Sequence, residues 1–229
     1  MKINGATVLV TGANRGLGRA LATAFLDAGA TVYAGARDPN KVDIAGAKPV
    51  QLDITDPASI SALAAKLGDV DIVVNNAGVF VPAPTSSPGA ADALRTNFAT
   101  NVYGTYDVAT AFAPILAKNG GGTIVNVLSV LSWVTLENTS GYSASKAAAW
   151  ALTNGLRKEL KAQGTRVVAV HVGYMDTDMA ASITMPKTKP SDVAAQILDA
   201  ILQDEPEVLA DGTSRNVKAS LGTSTPAYL

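Results

Sequence analysis

The turn Thr11-Gly12-Ala13-Asn14-Arg15-Gly16-Leu17-Gly18 constrains this chain more than any other stretch, because of what stands on either side of it. Before it, Ala6-Thr7-Val8-Leu9-Val10 is short, β-branched and nearly all apolar, as suits a parallel strand covered on both faces. After it, Arg19 to Ala28 carries Ala20, Leu21, Ala24 and Phe25 at helical spacing and stops at Gly29. A strand, a glycine turn and a helix in that order predict a phosphate site, since glycines let the backbone approach a ligand and the free amides of the first helical turn point at it. The Gly-x-x-x-Gly-x-Gly spacing is one residue wider at the front than the commoner dinucleotide fingerprint, and an ordinary glycine-bearing turn is the alternative.

Bulk properties narrow the classes. No Pro/Gly/Ser linker divides the 229 residues, so one domain spanning 1–229 is expected. With 48% hydrophobic and 16% charged residues, the chain suits a buried sheet with helices on both faces. A net charge of −1 leaves no basic footprint for nucleic acid. No cysteine and a single histidine, His171, exclude thiolate zinc sites and histidine clusters, so no metal is expected. The N-terminal apolar stretch breaks at Gly12, too short for a signal-peptide core, and no run approaches a membrane span, so a cytoplasmic protein is expected.

A second strand, Ala30 to Ala36, ends in Arg37-Asp38-Pro39. An acid at this strand end suits the ribose 2′-hydroxyl of NAD, whereas arginine suits the 2′-phosphate of NADP. Arg37 and Arg15 together favour NADP, Asp38 argues mildly against it, and two solvated surface arginines are the alternative. Lys48 to Ile54 reads as a third strand, placing Asp53 and Ile54 at the end where open α/β sheets bind ligands; Asp53 is either an adenine contact or a turn residue. Asp56-Pro57 starts a helix to about Leu67. A fourth strand, Val70 to Val74, runs into Asn75-Asn76-Ala77-Gly78, amides that tie neighbouring strands together or meet the cofactor.

After a proline-rich loop, Val81 to Pro88, a long helix from about Ala90 to Lys118 shows the stripe Leu94, Phe98, Val102, Thr105, Ala109, Phe112, Leu116, with Asn101 on its edge. A buried amide needs partners, and a core asparagine satisfied by nearby backbone explains Asn101 on this helix alone. The fifth strand, Thr123 to Leu128, ends at Ser129. Tyr142 and Lys146 open an Ala-rich helix to about Lys161 and share one face of it. An amphipathic first turn would explain the pair. Chemistry offers more: an ammonium lowers the pKa of a nearby phenol, which would ready Tyr142 for proton transfer, with Ser129 holding the same substrate oxygen.

These residues in this order resemble the short-chain dehydrogenase/reductase family over essentially the whole chain. The matches are the glycine turn, Asn75 to Gly78, Asn101 within Asn-x-x-Gly, the strand-end Ser129, and Tyr-x-x-x-Lys at Tyr142 and Lys146. The resemblance implies a doubly wound, parallel Rossmann sheet of about seven strands with helices on both faces. It implies a tetrad of Asn101, Ser129, Tyr142 and Lys146, with Asn101 holding a proton-relay water and Lys146 binding the nicotinamide ribose. Cofactor contacts would come from Gly12, Asn14, Arg15, Gly16, Leu17, Gly18, Arg37, Asp53, Ile54, Asn76, Ala77, Gly78, Tyr142, Lys146, Gly173 and Thr177. The sixth strand, Thr165 to Val170, leads to Val172-Gly173 where the family has Pro-Gly, which suggests a looser turn. Leu128 stands where many relatives carry a second serine, and His171 lies outside the family's catalytic set and reads as structural.

The loop Asp178 to Lys189 occupies the family's substrate-binding position and is short, which suggests an open apolar site; a helix from about Ser191 to Gln203, an edge strand near Glu207 to Ala210 and a polar tail from Asp211 follow. Val130, Leu131, Trp133, Val134, Leu136, Glu137, Met175 and Met179 are the candidate pocket residues, with Trp133 and Leu136 pointing to aryl or alkyl ketones or keto esters, or else serving as core or subunit contacts. The expected activity is an NADPH-dependent carbonyl reductase running reversibly as an alcohol dehydrogenase. A cofactor-sensing binding protein would usually lack the tyrosine or lysine, and an epimerase or dehydratase would usually carry a longer C-terminal substrate region than the roughly twenty residues that follow the last strand here. A homodimer or homotetramer through the two long helices is also implied, with Trp150 and Phe112 as contact candidates.

Overall fold

The computed structural model describes residues 1–229. Strand β1 (Thr7–Thr11) lies at the centre, paired in parallel with β2 (Thr31–Ala36) on one side and β4 (Ile72–Asn75) on the other. Strand β3 (Lys48–Gln51) closes one edge beside β2, while β5 (Gly122–Val127), β6 (Thr165–His171) and β7 (Glu207–Leu209) continue from β4. The seven-stranded order is β3-β2-β1-β4-β5-β6-β7, all parallel. The chain winds outward one way from β1 and then the other way from β4, so the crevice at the carboxyl ends of β1 and β4 is the switch point of a doubly wound sheet.

Helices α1 (Gly16–Asp27) and α6 (Pro190–Gln203) cover one face, sealing a core that includes Val8, Val10, Leu21, Phe25, Val193 and Ile197. Helices α2 (Pro57–Ala64), α4 (Thr105–Lys118) and α5 (Ser140–Glu159) cover the other over Leu9, Ile60, Val73, Phe112, Ile124 and Leu156. Phe112 is therefore core rather than a subunit contact.

Two segments depart from the sequence expectation. The long helix is not uniform: α3 (Ala90–Phe98) passes through a π-turn, Ala99–Gly104, before α4 begins. The wide turn absorbs one residue, so leading up to it and into it the buried face is Ala93, Asn97 and Asn101, one position earlier than the apolar stripe, and Leu94 is 41% exposed. The polar tail is also ordered: Asp211 Oδ1 accepts from Ser214 N at 2.7 Å and caps a seventh helix, α7 (Gly212–Ser220).

Candidate active site

The glycine turn is built as a backbone cradle. Gly12 has φ +64°, and a Cβ there would sit 3.0 Å from Ala77 Cα. Thr11 Oγ1 accepts from Asn76 N and Ala77 N, both at 3.0 Å, while Asn76 Nδ2 donates to Thr11 O at 2.9 Å and Gly12 O at 3.2 Å. Asn76 thus ties the end of β4 to the turn. Its neighbour Asn75 faces inward, donating at 2.9 Å to Asn126 Oδ1, which shares its residue with a bond to Thr153 Oγ1. At the start of α1, Arg15 provides no side-chain cap and the first turn has no acid, so this helix does not neutralise its own amide end. Open amides and a glycine surface fit a pyrophosphate.

A cavity of about 1250 Å³ runs from this turn across the carboxyl ends of the strands. Gly12, Asn14, Arg15, Gly16, Leu17, Arg37, Asp53 and Ile54 line one end; Asn76, Ala77, Gly78, Ser129, Tyr142, Lys146, Gly173 and Thr177 line the middle. Asp38 is turned away to accept from Asn40 N at 3.1 Å, which removes the argument it offered against a 2′-phosphate. Asp53 serves as a turn residue while lining the cavity: bonds from Thr55 N and Thr55 Oγ1 hold its carboxyl below the usual range. Arg15 reaches Asp178 Oδ2 at 3.2 Å, with both side chains largely exposed.

Three expected site residues lie outside the cavity lining: Gly18, Asn101 and Trp133. Gly18 packs α1 against Gly12 and Asn76. Asn101 is buried, and its side chain is spent on protein: Oδ1 accepts from Val79 N at 2.9 Å, and Nδ2 donates to Val79 O at 2.9 Å and Ser145 Oγ at 3.0 Å. One turn earlier Asn97 repeats the device on Val81, with bonds of 3.1 and 2.9 Å. Two buried asparagines four residues apart, clamping the loop after β4, were a signal the apolar stripe concealed. Trp133 is a correction: its ring stacks on His171, 3.8 Å between centroids, and packs edge-on to Trp150, because the short turn after Ser129 directs it into the protein.

Tyr142 and Lys146 stand on the first turns of α5, and Ser129 follows β5, so all three converge on one wall. Lys146 Nζ donates to Val127 O at 2.9 Å and lies 5.8 Å from the Tyr142 ring centre. The expected lowering of the phenol is overturned. Burial pushes Tyr142 up to about 12, and the neighbouring Ser129 hydroxyl offsets this only in part. Burial likewise pushes Lys146 down to about 8. Ser129 Oγ itself accepts from Leu131 N at 3.1 Å and lies 3.5 Å from Val172 O.

The depressed Lys146 has a consequence for stability. Its folded pKa of about 8 is below the ordinary 10.5, so below pH 8 the fold carries the cost of a buried ammonium, and the cost fades as pH rises from 8 toward 10.5. At neutral pH that cost is about 3 kcal/mol, offset by about 1 kcal/mol from the bond to Val127 O. Lys146→Met is therefore expected to melt a few degrees above the parent at pH 7, with the gap closing at pH 10; a variant less stable at pH 7 would contradict this.

On the substrate side, Val130, Leu131, Val134, Leu136 and Glu137 line the cavity from the segment after β5, and Met175 and Met179 from the segment after β6. Residues not anticipated join them: Phe80, edge-on to Tyr142 with centroids 5.0 Å apart, and Tyr174, Met185, Val217 and Ala227. The turn at Val172 is held rather than loose, since Gly173 N donates to Asp211 Oδ2 at 2.6 Å and Val172 O accepts from Val130 N at 3.0 Å.

Residues 6–188 match the family profile described as short chain dehydrogenase. The chain belongs to that family. It is 35% identical to a short chain dehydrogenase of Monascus purpureus, over 92% of this chain and 75% of that one. It is 32% identical to the 7alpha-hydroxysteroid dehydrogenase of Escherichia coli, over 82% of this chain and 78% of that one. The fold superposes with TM-score 0.94 on a Burkholderia cenocepacia short chain dehydrogenase crystallised with NADP, 35% identical and covering 98% of this chain and 95% of that one. No helix is long and apolar enough to cross a membrane.

Proposed function

We propose that this short-chain dehydrogenase is an NADP(H)-dependent carbonyl reductase, reversibly an alcohol dehydrogenase, acting on a bulky apolar ketone or keto ester. The observation that carries the reading is one cavity wall presenting Ser129, Tyr142 and Lys146, with the glycine cradle, Arg15 and Arg37 at the cavity's other end. Gly12, Asn14, Gly16, Arg15 and Arg37 would hold NADPH, whose chemistry when bound would be to supply the hydride for the carbonyl carbon. Tyr142, protonated at neutral pH, donates its proton to the carbonyl oxygen as charge develops there, and Ser129 Oγ–H steadies the same oxygen. Lys146, held by Val127 O and 5.8 Å from the Tyr142 ring centre, supplies the positive charge nearest the phenol at that moment. Both Nδ2 protons of Asn101 and one lone pair of its Oδ1 are bonded to protein, so its backbone, on the π-turn, is the group assigned to a relay water. Leu128, Leu136, Met175, Met179 and Met185 give the site an apolar, adaptable wall.

A panel of aryl ketones and keto esters, followed at the reduced-nicotinamide absorbance with NADPH and NADH, tests the reading; tight NADPH binding without turnover on any carbonyl compound would favour the cofactor-sensing alternative. Arg15 and Arg37 are each assigned to the 2′-phosphate, where a charge-assisted contact contributes about 2 kcal/mol. Replacing both by alanine is expected to raise KM for NADPH about 100-fold or more while leaving KM for NADH within about threefold. Equal losses for the two cofactors would remove the arginines from this role. The exposed Leu94, Tyr103 and Tyr106 on the α3–α4 face support a homodimer or homotetramer.

A further inference from the structure

We propose that His171 is a positioning residue for Ser129, its Nδ1–H holding the Ser129 backbone carbonyl and thereby setting where the Ser129 hydroxyl sits in the cavity. The inference rests on the proposed role of Ser129 in carbonyl reduction. His171 ends β6 fully buried, with Nδ1 3.0 Å from Ser129 O. A carbonyl only accepts, so the contact is a hydrogen bond only if the ring carries its proton on Nδ1.

The rest of the surroundings favour that tautomer. Ser129 O accepts a second bond from Ser132 N at 3.0 Å, and Ser129 Oγ accepts from Leu131 N at 3.1 Å, so the backbone and side chain of Ser129 are fixed through one short turn. His171 Nε2 has no partner and lies 3.7 Å from Glu207 Oε1. That carboxylate would draw a proton to Nε2 were it alone, but Lys218 Nζ, on α7, takes the same oxygen at 2.9 Å. Lys218 also lies 4.9 Å from the Trp133 ring centre, covering the stack in which His171 sits. Glu207, Lys218 and, farther off, Lys146 are the charges that act on the ring, and burial outweighs them, pushing it down to about 4. The imidazole therefore stays neutral through the range in which the site would work.

The chain has one histidine, so nitrogen NMR of the ring reports His171 alone. The expected spectrum is a single neutral Nδ1–H tautomer at pH 7 that titrates near 4. An Nε2–H tautomer, or titration near the ordinary 6.5, would overturn the proposal. Two variants separate positioning from packing. His171→Phe keeps the aromatic stack and loses the donor; its kcat is expected to fall about tenfold with KM for NADPH unchanged and little change in Tm. His171→Asn keeps a donor at the Nδ1 position and loses the stack; it is expected to keep kcat within about threefold at a lower Tm. If His171→Phe turns over like the parent, or His171→Asn is as slow as His171→Phe, the ring is merely structural. Absence of turnover in the parent protein would overturn the proposed function, whereas normal turnover with the wrong tautomer would overturn this inference alone.

Discussion

Tyr142→Phe is expected to lower kcat for ketone reduction by about three orders of magnitude, within the range for a positioned general acid, while leaving the dissociation constant for NADPH within about twofold. The substitution removes one oxygen and nothing that packs: the ring keeps its edge contact with Phe80 at 5.0 Å and its place on α5. What is lost is the phenolic proton, which burial keeps in place at every physiological pH. With Tyr142 raised to about 12, its own ionisation cannot limit reduction between pH 6 and 9. The group that titrates in that window is Lys146, at about 8. Below 8 it carries the charge that steadies the phenol oxygen as the proton leaves; above 8 that charge is lost. The kcat for reduction should therefore be level on the acid side and decline as pH rises through about 8. Steady-state rates of the parent and variant across this range, with NADPH binding followed by fluorescence, decide the matter. A variant within tenfold of the parent would remove Tyr142 as the proton donor, and a decline that begins on the acid side would remove Lys146 as the titrating group.

That phenol marks where sequence stopped being sufficient. Spacing alone placed Tyr142 and Lys146 on one helical face, because a helix repeats every 3.6 residues wherever it lies. The direction of the pKa shift depends on how much protein surrounds the oxygen, and burial reverses the sign that proximity to an ammonium suggests. The glycine turn was legible for a related reason: strand, turn and helix are local, and Gly12 at positive φ has few substitutes. The π-turn at Ala99–Gly104 left no trace in residue type; it shows only as a rotation of the buried face from Leu94 to Ala93, Asn97 and Asn101. Helix α7 was missed because its sequence is polar and its order comes from Asp211, which caps it and also holds Gly173, a contact 38 residues away. Trp133 read as a pocket residue because it follows Ser129 by four positions, and its true partners, His171, Trp150 and Lys218, come from three other elements.

The second large effect is expected at Gly18, where Gly18→Ala should weaken NADPH binding about 100-fold, or about 2.7 kcal/mol. Gly18 sits in the first turn of α1 at ordinary helical φ, so its restriction is one of space. A Cβ there would press into the Gly12 carbonyl and lie 2.5 Å from Asn76 Nδ2. Neither neighbour can yield cheaply. The carbonyl belongs to the turn that Gly12 bends at φ +64°, and the amide is held by Thr11 O at 2.9 Å and Gly12 O at 3.2 Å. The added methyl must therefore push α1 away from β1 or break the Asn76 bonds, and either one pulls the helix amides out of register with the cradle. Overpacking of this kind costs about 1–3 kcal/mol, which for a chain of this length lowers Tm by about 3–10 °C. Gly16→Ala is the informative comparison: it meets only the Thr177 methyl at 3.2 Å, which can shift, and its penalty comes from φ +54° instead. Gly68→Ala, with nothing within 4 Å, should leave both Tm and NADPH binding unchanged. If Gly18→Ala bound NADPH like the parent while Gly16→Ala did not, backbone conformation at the turn, rather than the close approach of α1 to β1 and β4, would be what makes the site.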